Sequence, residues 1–188
     1  MTSPPDLTGT FRRQLEGVRI DHDDVDGYLG PRGWLVTSGV TDVVAPFVTH
    51  LPADDGDVAR FAGLDASAAR ALFEILTPEQ LEDRQNDAPS LGVLLRATVA
   101  HPDEVELHGY LVGPVRTDER LTAEGCLVYS APDLDITPRH DPGCRCGELW
   151  ALVRRDLGIT DASCLPHEVT RQVSPWRPNE PCWSLWWD

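Results

Sequence analysis

The chain has 188 residues, 41% of them hydrophobic, which suits one domain with a core of its own and argues against wholesale disorder. Its 31 Asp and Glu outnumber 16 basic residues, giving a formal net charge of −15, so a phosphate backbone or an anionic lipid surface is repelled. All 16 basic residues are Arg, and the lack of Lys removes the Walker-A phosphate loop, Schiff-base chemistry and the kinase lysine.

No apolar run approaches the roughly 18 residues of a membrane span. The opening MTSPPDLTGT has neither a basic nor an apolar leader region, so the expectation is a soluble, cytoplasmic protein with no nucleic-acid or membrane partner. Residues 1–10, rich in Pro, Ser and Thr, read as a mobile tail ahead of a single domain over 11–174. The segment 11–20 has no distinct period, and DHDDVDGYLGPRG (21–33) reads as loop. Its Asp spacing glances at a calcium loop, but aligning Gly27 with the loop glycine leaves His22 and Gly33 at the two strongest ligand positions, so that reading fails.

GWLVTS (33–38) and DVVAPFVTHL (42–51) look β-like, with Pro46 placing the second at a sheet edge. Asp65 caps a predicted helix over 66–76, TPEQ (77–80) is a capping box for a short second helix, and Ser90 caps a third that Pro102 stops. EVELHGYLVG (104–113) and LTAEGCLVYS (121–130) form a predicted hairpin. Centred on Thr117, it pairs Leu107 with Leu127 and Gly109 with Gly125 on an apolar side, and His108 with Cys126 and Tyr110 with Glu124 on a polar one. A fourth helix is predicted over 147–157, then a strand at HEVTRQV. The fold class is therefore α+β: an antiparallel sheet containing the central hairpin (about 104–130), with helices packed on one face.

Two clusters carry candidate chemistry. HDPGCRC (140–146) and CLPH (164–167) supply the soft N and S donors that zinc takes as two short-spaced pairs. One structural zinc on Cys144, Cys146, Cys164 and His167 is the expected arrangement, with His140 as the alternate ligand. On the polar side of the hairpin, His108 beside Cys126 with Glu124 behind it has the makings of a thiol nucleophile, its base and an orienting carboxylate. No GxSxG elbow is present, and HEVTR lacks the second His of a zincin. The last segment, 175–188, holds four of the six Trp and reads as an arm that docks a protein partner or a second copy. The functional expectation is an acidic, non-catalytic binding or regulatory domain acting through protein–protein contact. The alternative is a small zinc- or thiol-dependent hydrolase using the 140–167 cluster.

Overall fold

The computed structural model describes residues 5–17, 26–137 and 143–188. In chain order the elements are α1 (Leu7–Gly17), β1 (Asp26–Gly27), β2 (Gly30–Pro31), α2 (Trp34–Thr37), α3 (Val40–Val44), a 3-10 turn (Ala45–Phe47) and β3 (Val48–His50). There follow β4 (Val58–Leu64), α4 (Ala66–Ile75), α5 (Pro78–Glu82), α6 (Leu91–Ala100), β5 (Val105–Val112), β6 (Arg120–Val128), α7 (Cys146–Asp156), β7 (Glu168–Val173) and β8 (Pro181–Trp186). β3 to β8 form a six-stranded antiparallel sheet in the order β3-β4-β5-β6-β8-β7, and β1 and β2 make a small ribbon of their own. The class is α+β. Among the described residues, no helix is long and apolar enough to cross a membrane.

The capped helices form where local chemistry dictates. Asp65 accepts from the amides of Ser67 and Ala68, Thr77 and Gln80 close a reciprocal capping box, and Ser90 accepts from the amide of Val93. Each satisfies amides that a helix start leaves without partners. α6 lies against β5 and β6, with α4 beside it and α3 beside α4. Leu72, Leu94, Leu95, Leu107 and Leu111 are fully buried in the resulting core.

The two β-like runs fold differently from expectation. Residues 34–37 are α2 and 40–44 are α3, leaving only Val48–His50 as strand, at the sheet edge. Gly33 and Gly39 sit at φ 85° and 86° and break any strand before each helix. A tertiary contact then caps α2: the Glu119 carboxylate accepts from the amides of Gly33 (2.6 Å) and Leu35 (3.1 Å). Glu119 is 1% exposed, and burial pushes its carboxyl above the usual range against the pull of those two amides. Glu119→Ala is expected to strand both amides in the interior and lower stability by about 2–4 kcal/mol, read as a shift in the urea midpoint. A change within about 0.5 kcal/mol, as for an ordinary surface substitution, would show that α2 does not depend on this cap.

β4 has no counterpart in the sequence reading, because small Ala side chains blur its alternation and Gly63 interrupts it. Gly63 has φ +76° where the β4–β5 register shifts, so the strand bulges there. At the other end of the chain, α1 begins at Leu7, and Leu7 and Phe11 are both fully buried, so the expected tail is cut short. Residues 175–188 are likewise not a free arm: β8 inserts between β6 and β7. Trp183 and Trp187 are buried, and Trp187 meets Trp150 edge-on with ring centroids 5.5 Å apart. Two unpaired strand edges would otherwise face each other there, and the tryptophan area buried by closing them outweighs display to solvent.

The 105–128 hairpin forms as predicted in kind but in another register. Leu107 faces Cys126, His108 faces Gly125 and Gly109 faces Ala123, with Glu124 as the extra residue of a bulge. The predicted pairing is one residue out beyond the bulge, which moves side chains to the opposite face of the sheet.

Candidate functional site

The register shift dissolves the predicted His108–Cys126–Glu124 cluster. Cys126 joins the core beside Leu107, fully buried, and burial pushes its thiol up to about 12. His108 lies across from Gly125. Its residue keeps some surface, yet Nε2 is sealed from solvent and makes no hydrogen bond among the described residues. Burial lowers its pKa to about 4, with the carbonyl of Leu185 acting in the opposite direction. Glu124 turns to Arg60, 3.0 Å away. No nucleophile, base and orienter meet here.

The second predicted cluster divides. The loop between α7 and β7 is tied down by backbone: the Ser163 amide donates to the Asp87 carbonyl (3.0 Å), and the His167 amide donates to the Trp186 carbonyl (2.8 Å). The Trp187 indole N–H adds a bond to the Cys164 carbonyl (3.2 Å). These bonds hold Cys164 Sγ 3.5 Å from His167 Nε2, which is 4.0 Å from Asp87 Oδ2. Asp87, Cys164 and His167 offer donor atoms that all lie within 4.8 Å of one another. Asp87 was not legible in the sequence as a member. It is a lone acid in a turn after α5, swung into place by Asn86 at φ 46°. Cys144 and Cys146 stay together at the start of α7, and Cys146 lines a small apolar cavity of about 190 Å³ with Leu165, Pro166 and Val169. His140 and His22, with most of the Asp-rich 21–29 loop, lie outside the described residues.

The protonation states at this loop do not suit a thiol nucleophile. The Asp188 amide donates to His167 Nδ1 (2.9 Å), which places the proton of the neutral ring on Nε2, the atom nearest the sulfur. Such an imidazole has no lone pair there to accept the thiol proton. Burial and the Asp87 carboxylate together push the Cys164 thiol up, away from thiolate.

A different site stands out at the β4 bulge. The Trp176 ring packs on the backbone of Gly63, where a Cβ would lie 2.6 Å from the indole. Its N–H donates to Glu106 Oε2 (2.7 Å), and so does the Tyr129 hydroxyl (2.8 Å), which also bonds Ser174 (2.7 Å). Arg177 approaches Glu106 Oε1 at 3.4 Å and stacks its guanidinium 3.9 Å from the Tyr129 ring centre. Burial raises the Tyr129 phenol well above its ordinary range, so it remains a donor. Glu106 is only 7% exposed, whereas Trp176 is 42% exposed. Between them opens a cavity of about 350 Å³ walled by Phe47, Ala62, Gly63, Asp65, Glu106 and Trp176. A second hollow continues from it along Pro46, Phe47 and Asp65 to Ala71. Both cap bonds of Asp65 fall on Oδ1, leaving Oδ2 outside the cap. The result is a groove with aromatic walls and two carboxylates.

Sequence reasoning singled out the Trp-rich end but not Trp176 in particular. In the sequence Asp65 has only a local role, as a helix cap, and Glu106 is not singled out, because nothing near them in the chain reports the bulge that brings them together. Comparison with known proteins adds no name to this geometry: no family model matches the chain, and neither a curated protein nor a solved structure matches it.

Proposed function

We propose that the protein is a non-catalytic binding or regulatory domain acting through protein–protein contact, and that the groove beside Trp176 receives a basic segment of its partner. The observation that carries this reading is the half-exposed Trp176 ring set over Glu106 and Asp65 in an open hollow. An arginine or lysine side chain fits such a hollow: its aliphatic stem lies on the aromatic walls and its charge meets Asp65 Oδ2, with the Arg177-paired Glu106 behind it. The wider charge agrees. Asp103 and Glu104 precede Glu106, Arg177 is shared between Glu106 and Glu180, and the whole chain carries −15, which steers a cationic partner inward. An acidic chain with five cysteines, an odd set, suits a reducing cytoplasm, where we place it. The thiol-dependent form of the alternative hydrolase reading has less support, since burial raises the thiols of Cys126, Cys146, Cys164 and Cys182.

The test is titration of a short arginine-rich peptide against the wild type, Asp65→Asn and Trp176→Ala, followed by calorimetry. Asn keeps the helix cap while removing one charge, so Asp65→Asn separates binding from folding. Binding is expected to weaken about 5-fold in Asp65→Asn and at least about 10-fold in Trp176→Ala, and to fall with salt. Equal affinity in all three proteins, or equal binding of a neutral peptide, overturns the assignment. Self-association abolished by the same substitutions would give the groove to a second copy of the chain instead.

A further inference from the structure

The loop holding Cys164 and His167 has a use independent of the groove. Three donors of different chemistry, a thiol, an imidazole and a carboxylate, converge from two segments far apart in the chain, and rigid partners mount them. The Cys164 carbonyl is held by the Trp187 indole, the His167 amide by the Trp186 carbonyl, and the Asp87 carbonyl by the Ser163 amide. Cys164-x-x-His167 is a short-spaced pair of the kind zinc accepts. A tetrahedron with Zn–S near ~2.3 Å and Zn–N near ~2.0 Å has a sulfur–nitrogen edge of about 3.5 Å. The observed Sγ···Nε2 separation is 3.5 Å. The nitrogen–oxygen edge of the same figure is about 3.3 Å. The observed 4.0 Å to Asp87 Oδ2 closes to that with a contraction of well under one ångström, within reach of a side chain in a surface turn.

We infer that Asp87, Cys164 and His167 form a site for a divalent metal ion of zinc-like softness, with the three side chains as ligands and a fourth position left for water or another donor. The set mixes a soft sulfur, a borderline nitrogen and a hard oxygen, which selects zinc or cobalt over magnesium and calcium. Coordination through His167 Nε2 moves the ring proton to Nδ1, which faces the Asp188 amide. That contact must open, and it can, because Asp188 lies beyond β8 and its release leaves the sheet pairing intact. One backbone hydrogen bond is exchanged for three ligand bonds. Cys164 gives up its thiol proton to solvent as the sulfur–metal bond forms. The ion sits between the α5–α6 turn and the β7–β8 end of the sheet, so it cross-links two segments already in contact.

The full chain, stripped with a chelator, is titrated with Co(II) and the near-ultraviolet thiolate-to-metal absorption is followed, with Zn(II) as competitor. One equivalent is expected to develop the band. Cys164→Ser is expected to abolish it, Asp87→Asn to weaken binding about 10-fold or more, and the Cys144→Ser/Cys146→Ser double variant to leave it unchanged. In the amide spectrum the Asp188 resonance is expected to shift on zinc addition in the wild type and not in Cys164→Ser. Thermal melts of the metal-free variants confirm that each is folded. No thiolate band with the wild type, a band that survives Cys164→Ser, or one lost in the Cys144/Cys146 variant overturns the site. Peptide binding at the groove does not depend on these residues, so either result leaves the other proposal standing.

Discussion

Gly125→Ala is expected to destabilise the protein by roughly 3 kcal/mol or more, the upper end of what overpacking costs. An added Cβ there would stand 2.1 Å from the Leu185 carbonyl oxygen and 2.5 Å from Cε1 of His108. The imidazole has some freedom to give way; the carbonyl does not, because Leu185 is paired in register on both sides, with Cys126 of β6 and Val169 of β7. Relief requires moving β8 away from β6, against the packing of Trp183, Leu185 and Trp187 on the core. For a chain of this length the loss corresponds to a melting temperature lower by about 10 °C. Adding His108→Ala to Gly125→Ala separates the two contacts. A partial recovery is expected, and full recovery would mean that the carbonyl contact is harmless and that β8 is less firmly seated than its pairing indicates.

His108 gives the second large effect, and it is one of pH. Its folded pKa of about 4 lies below the ordinary value of 6.5, so between those limits the unfolded chain binds the extra proton. Stability contributed by the neutral, buried ring is therefore fully present above pH 6.5 and is lost as pH falls through 4. The gap corresponds to roughly 3 kcal/mol, an upper figure for a ring that keeps some surface. The 31 acidic residues titrate over part of the same range, so the measurement is a difference. Urea unfolding of wild type and His108→Leu is compared at pH 7, 5.5 and 4. The variant is expected to gain on the wild type steadily as pH falls. Parallel curves would show that the imidazole accepts its proton inside the folded protein at no cost, which its burial argues against.

These two effects meet at one place, the bulge where Glu124 is extra on β6. It sets Gly125 under the His108 ring, sends Cys126 into the core, and exposes the Glu124 carbonyl to the Trp187 amide at 2.9 Å. A predicted catalytic cluster became a packing arrangement because of a single inserted residue.

By itself the sequence determined the elements whose signals span three or four residues. The caps at Asp65, Thr77 and Ser90 form as read, because a side chain capping a nearby amide needs no distant partner. So, apart from register, do the two arms of the central hairpin, and the helix read over 147–157 forms over 146–156. Tertiary structure decided whatever depended on contacts from far along the chain. Residues 34–37 are helical because Glu119 caps them, Trp183 and Trp187 are core because β8 finds a gap between β6 and β7, and Asp87 reaches Cys164 because one backbone bond ties their loops. The groove has the same origin: Asp65, Glu106 and Trp176 share a wall only once Gly63 bulges and the indole lies on it. Local hydrogen bonding is written within a few residues, whereas register and convergence follow from which buried surfaces fit together, and that fit exists only in the folded chain.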